Sequence, residues 1–175
     1  MNPEEISVSA KLSNEDESFL RYAIDLSRHS LEDEGKTPFG AIVVVGGAIV
    51  GEGTSSVVEL HDPTAHAEVM ALRNAGAAAQ RHLFEDGVMY CSSEPCPMCL
   101  MACYWARLPR LVFGATSYDV AVNGFEDLQL YRELTYPAER RQLRGDSVDA
   151  HLREQAADVL RSWAERLPFP VEPKL

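Results

Sequence analysis

The sequence predicts an α/β fold in which a mixed sheet is held between layers of helix. Three observations carry that expectation. Ala41 to Val45 is an unbroken apolar run, mostly β-branched, of the kind that fills a buried strand. Beyond it, segments of strand character alternate with segments of helical period, the order that builds crossover units on a parallel sheet. Ahead of both, an amphipathic stretch supplies a helix to pack on the sheet.

In chain order, residues 1 to 12 show no period and read as a mobile tail before a single domain spanning 13 to 175. Ser13 with Asp16 has the spacing of a capping box, and Phe19, Leu20, Ala23, Ile24 and Leu26 recur at helical spacing until about Ser30. Glu32 to Lys36 is a charged loop. Thr37, Pro38, Phe39 and Gly40 lead into the strand at Ala41, and Gly46 and Gly47 turn it into a second strand, Ala48 to Gly53. Asp62, Pro63 and Thr64 read as a helix start, with Asp62 or Thr64 as the cap and proline tolerated because its missing N–H has no partner in the first turn. That helix runs to about Ala78, with Met70, Ala71, Leu72 and Ala75 inward and Arg73 on the solvated side. A third strand, Val88 to Ser92, delivers the chain to Glu94 and a helix ending near Ala106. Leu111 to Phe113 is a fourth strand, ended by Gly114. The last helix is capped near Ser147, carries Leu152, Ala156, Val159, Leu160, Trp163 and Leu167 on one face, and is stopped by Pro168, Phe169 and Pro170. Such a face predicts core or subunit packing.

Composition narrows the function. A chain of 175 residues with formal charge −11 and pI near 4.8 lacks the basic balance that neutralises phosphates, so a nucleic-acid partner is disfavoured and a small molecule favoured. No apolar run reaches the length of a membrane span, and the acidic N-terminus has no signal-peptide pattern, which predicts a cytoplasmic protein. Four cysteines lie between Cys91 and Cys103, too close for a framework of long disulfide loops.

Two of those cysteines fall in a pattern with chemistry. His66, Ala67 and Glu68 read H-A-E, and thirty residues on Pro95 to Cys99 read P-C-P-M-C. One imidazole and two thiols suit Zn²⁺, and three protein ligands leave a fourth tetrahedral position to water, the arrangement of a catalytic site. Cys96 and Cys99 are three apart, so at a helix start they lie side by side, and the positive end of the helix favours thiolates. His66 and Glu68 near another helix start can share a target only ahead of that terminus. Cys91, Cys96 and Cys99 also have the C-x₄-C-x₂-C spacing of iron–sulfur proteins, but that leaves H-A-E unexplained and needs a distant fourth cysteine. Cys91 and Cys103 read more simply as small core residues.

H-x-E joined to P-C-x-x-C resembles the cytidine deaminase superfamily over about residues 13 to 135. Asp62, Pro63, Thr64 and Ala65 before His66, with Ser93, Glu94 and Pro95 before Cys96, look like the branch of bacterial guanine deaminases and tRNA adenosine deaminases. Cys96 through Arg107 looks most like the guanine side. The resemblance implies a three-layer α/β/α fold with a central mixed five-stranded sheet, zinc on His66, Cys96 and Cys99, and Glu68 as the group that carries a proton from water to the ring and then to the leaving amine. It implies a free base or nucleoside as substrate, release of ammonia, and a homodimer.

Four further residues are implied as substrate contacts: Phe39 as an aromatic wall or as core, Ala67 through its N–H, Asp127 after Asn123, Gly124, Phe125 and Glu126, either as an acceptor for ring N–H or as a helix cap, and Ser55. At Ser55 relatives of both kinds commonly carry asparagine, which donates and accepts at once, whereas a hydroxyl donates only once. Alternatives at this point are adenosine deamination in tRNA, another heterocycle such as a pyrimidine or aminotriazine, and a non-catalytic zinc module.

Overall fold

The structure, a computed structural model, describes residues 12–146 and 149–172. The expected tail and the expected cap at Ser147 lie outside these. The chain divides into two compact units, Met1–Thr135 and Tyr136–Leu175. Among the described residues no helix is long and apolar enough to cross a membrane.

The first unit begins with α1, Asn14–His29, whose N-terminus carries the full capping box between Ser13 and Asp16. A 3₁₀ turn, Ser30–Glu32, follows. Strands β1 (Gly40–Val45) and β2 (Ala48–Thr54) form a hairpin across Gly46 and Gly47, both at positive φ as a tight hairpin turn needs. A short helix, α2 (Val57–Leu60), was not signalled by any period. Then come α3 (Ala67–Ala79), β3 (Gly87–Ser93), α4 (Pro97–Trp105), β4 (Arg110–Ala115), α5 (Ser117–Val122) and α6 (Asp127–Thr135).

The sheet is mixed, in the order β2-β1-β3-β4, with β1 antiparallel to both neighbours and β3 parallel to β4. Among the described residues it has four strands rather than the five expected. Tyr118, Val120 and Val122 alternate as a fifth strand would, but Thr116 accepts from the Asp119 N–H and Asp119 accepts in return, so the segment after β4 starts a helix.

Alternation along the strands separates two cores. Ala41, Val43, Met89 and Cys91 face Ala67, Ala71 and Ala75 of α3 and Cys103 of α4, whereas Ile42, Val44, Tyr90 and Val112 face Ala23 of α1 with Phe19 and Leu20. The helix layers predicted for both faces are therefore present. On the first face the fit is unusually close: a Cβ on Gly53 would lie 2.4 Å from the Ala67 carbonyl oxygen, and one on Gly51 would lie 2.4 Å from that of Ala71. Backbone of β2 touches backbone of α3.

The other face is pinned by a buried carboxylate. Asp16, 7% exposed, accepts from the Tyr90 hydroxyl at 2.7 Å and from both Arg110 guanidinium nitrogens at 2.6 and 2.9 Å, as well as from its capping partner Ser13. Arg110 above all, then Tyr90, holds the Asp16 carboxyl well below the usual carboxylate range. A lowered pKa means that this stabilisation is complete above about pH 4 and drains away as pH falls further. Asp16→Asn is expected to cost about 2–4 kcal/mol, from a lost cap and an unsatisfied buried hydroxyl, and to flatten the acid limb of the stability profile. Urea unfolding between pH 3 and 7 measures both.

In the second unit, a 3₁₀ turn at Ala138–Arg140 precedes α7, Ala150–Ala164. Asp149 is its N-cap, accepting from the Leu152 N–H at 2.9 Å. The helix ends before the Pro168 to Pro170 stop, unwinding through the turns Arg166 to Trp163 and Leu167 to Ala164, because a residue preceding proline resists the α conformation. Leu152, Val159, Leu160 and Trp163 are between 50% and 69% exposed, so the apolar face is not in a core.

Candidate active site

The sheet brings its functional loops to one edge. β1 starts there after Phe39, β2 and β3 end there before Ser55 and Glu94, and the register Gly40 to Thr54 and Ala41 to Cys91 fixes them side by side. Ligands in open α/β sheets collect at such an edge.

His66 is the N-cap of α3 and Cys96 the N-cap of α4. Neither Asp62 nor Thr64 caps α3 as expected. The Asp62 carboxylate instead accepts from the Thr64 N–H at 2.8 Å and its hydroxyl at 2.7 Å, a local turn that satisfies it and delays the helix to Ala67. His66 Nδ1 lies 3.6 Å from Cys96 Sγ, and one ligand atom each from His66, Cys96 and Cys99 fall within 4.8 Å of one another. Two sulfurs and a nitrogen converging at two helix N-termini fit Zn²⁺. Cys91 is not of this group, and Cys91 and Cys103 are buried in the core as expected.

The thiols are not equivalent. The hydrogen bond from Cys99 holds Cys96 down to about 4 against its burial, with His66 assisting, and the same bond pushes Cys99 far up. His66 is raised in turn, chiefly by Cys96. Glu68, 7% exposed beside them, is raised by burial above all.

A cavity of about 220 Å³ opens over this cluster, lined by His66, Glu68 and Cys96 and by the four predicted substrate residues Phe39, Ser55, Ala67 and Asp127. Cys99 lies behind it, fully buried. The segment from α5 to α6 forms one side. Phe125 meets Phe39 edge-on at 4.9 Å between centroids, so Phe39 is both core and wall. Tyr131, one turn after Asp127, donates to the Pro95 carbonyl at 2.7 Å, tying α6 to the ligand loop. The Asp127 carboxyl is raised, mainly by burial and then by Cys96.

Residues 13–115 match the family described as the cytidine and deoxycytidylate deaminase zinc-binding region. The chain belongs to that family. Guanine deaminase of Bacillus subtilis is 43% identical over 125 residues, 71% of this chain and 80% of that one. The tRNA-specific adenosine deaminase of Buchnera aphidicola subsp. Schizaphis graminum is 38% identical over 113 residues, 65% of this chain and 74% of that one. The X-ray structure of the Bacillus subtilis guanine deaminase superposes with TM-score 0.81 at 36% identity, over 90% of this chain and 99% of the other. The protein is thus a zinc-dependent hydrolytic deaminase of the cytidine deaminase family.

Several deaminase pocket residues escaped the sequence reading. Thr37, Gly35, Val57, Val58 and Glu94 line the cavity as well. Val57 and Val58 belong to α2, too short to show a period. Glu94 had a signal, since it precedes the ligand proline; its carboxylate accepts from the Ser117 N–H at 2.7 Å and hydroxyl at 2.6 Å and so joins the ligand loop to α5.

Proposed function

We propose that this deaminase releases ammonia from a free guanine-type base or its nucleoside. The observation that carries the reading is the match in sequence and fold to a guanine deaminase over most of both chains, around a cavity lined by Glu68, by two of the three metal ligands and by two aromatic rings. The tRNA adenosine deaminase likeness is weaker, and a formal charge of −11 opposes a polyanionic substrate.

His66, Cys96 and Cys99 would hold the zinc, which would supply Lewis acidity that brings the pKa of a water toward neutrality. Glu68 is placed to take a proton from the attacking water and to give it to the ring nitrogen beside the amino-bearing carbon. It then takes the remaining proton of the added hydroxyl and gives it to the amino group, which leaves as ammonia as the C–N bond breaks and the ring carbonyl forms. Burial raises the Glu68 carboxyl above its ordinary value, which suits a group that accepts a proton and then donates it. The Ala67 N–H, in the first turn of α3, has no partner within its helix and is free for a ring oxygen or nitrogen. Phe39 and Phe125 flank a flat ring, and Asp127 accepts from ring N–H or amino hydrogen.

A homodimer in the cytoplasm fits the same reading, because α4 exposes Met101, Tyr104 and Trp105 as a contiguous apolar face.

Ammonia release by the zinc-loaded protein from guanine, guanosine, cytosine, cytidine, adenosine and aminotriazines tests the proposal. Guanine or guanosine is expected to lead, with salt-dependent tRNA binding absent; a lead by adenosine in tRNA would overturn it. Asp127→Asn is expected to raise KM for the leading substrate about tenfold, since a neutral amide accepts more weakly than a carboxylate; steady-state kinetics reads this.

A further inference from the structure

The hydroxyl at position 55 does not stand alone. Thr37, in the loop before β1, places its Oγ1 2.7 Å from Ser55 Oγ, just past the end of β2. Both side chains line the cavity, and Ser55 is 4% exposed. The Ser55 N–H is held on the Phe39 carbonyl at 3.3 Å and the Ser56 N–H on the Ala65 carbonyl at 2.9 Å, so the serine cannot swing away from threonine without breaking backbone pairing.

Each hydroxyl offers one hydrogen and two lone pairs. In the pair, one hydrogen lies between the oxygens. The other points outward beside the spare lone pairs of its neighbour. Two polar atoms 2.7 Å apart, one donating and one accepting, span nearly what a carboxamide spans, whose nitrogen and oxygen lie about 2.2 Å apart by standard bond lengths. Turning both hydrogens exchanges donor and acceptor without moving a heavy atom.

We propose that Thr37 and Ser55 form one recognition unit, a donor beside an acceptor, that reads a ring acceptor and a neighbouring ring N–H of the substrate base. The inference rests on the guanine-type reading, since guanine offers such neighbours in its carbonyl and ring N–H. Thr37 becomes a specificity residue of the pocket, and the single hydroxyl at position 55 is completed by its partner.

Calorimetric binding of guanine to the zinc-loaded Glu68→Ala protein tests this without turnover. Added to that background, Thr37→Val and Ser55→Ala are each expected to weaken binding about tenfold, because each leaves a buried polar partner unpaired. Thr37→Ser is expected to stay within about twofold of the parent, since it keeps the hydroxyl. The double variant is expected to lose no more than about what one single variant loses, the mark of residues acting as a unit. Thr37→Val with parental affinity, or losses that multiply, would overturn the proposal. Guanine bound by the Glu68→Ala protein but not deaminated by the protein with Glu68 intact would overturn the proposed function instead. Absence of guanine binding would overturn both.

Discussion

Glu68→Ala is expected to lower kcat by about 10⁴-fold, the upper end for a general acid–base group, because one carboxylate serves two proton transfers. Of the other carboxylates that line the cavity, that of Glu94 is engaged by Ser117, and Asp127 belongs to a different helix, α6, rather than to the helix start that carries His66 and Glu68. Zinc is expected to remain at one equivalent, since His66, Cys96 and Cys99 are untouched. Glu68→Gln should behave alike, for an amide keeps the size and loses the proton exchange. Ammonia release with parallel metal analysis reads both quantities, and a kcat within tenfold of the parent would remove Glu68 from the chemistry.

The second large effect lies outside the cavity. Gly53→Ala would set a methyl 2.4 Å from the Ala67 carbonyl oxygen and 2.5 Å from the Ala71 nitrogen, both backbone atoms of a helix that cannot yield as a side chain does. Overpacking of this kind costs about 3 kcal/mol or more. The strain falls on the first turn of α3, where His66 and Glu68 are placed, so zinc affinity should fall together with stability. Gly51→Ala presses the same helix one turn further on, against Ala71 and Ala75, and is expected to destabilise as much while disturbing zinc less. Urea midpoints and zinc competition titrations on the two variants separate these expectations; equal loss of zinc affinity in both would mean that the helix moves as a rigid body.

These glycines show where reading the sequence falls short. Gly51, Glu52 and Gly53 stood in a predicted strand, and glycine at alternate positions is a signal of close backbone approach. What approaches, and that it is the helix bearing the metal histidine, depends on the pairing of distant segments. The capping box at Ser13 and Asp16 was likewise visible, but not the second use of Asp16, which joins Arg110 at a separation of 94 residues.

The fifth strand is expected from the resemblance alone, and no segment of the sequence is assigned to it; after β4 the capping box of Thr116 and Asp119 makes a helix, α5, of an alternating segment. The start of α3 differs from the expectation for a local reason too: Asp62 is a good cap in type, yet its Oδ1 accepts from the Thr64 N–H and hydroxyl and its Oδ2 from Arg73.

By itself the sequence determined the ligand set, the order of strands and helices and the family, because spacing along a helix or strand is a short-range property of the chain. It also named every residue of the metal cluster and the residues Phe39, Ser55, Ala67, Glu68 and Asp127 of the cavity. Tertiary structure alone decided that His66 meets Cys96 across thirty residues, that Thr37 completes Ser55, and that α6 is tied to the ligand loop through Tyr131. Those contacts follow from sheet register and from how closely α3 can approach β2, and register and packing are set by the whole fold rather than by any one stretch of it.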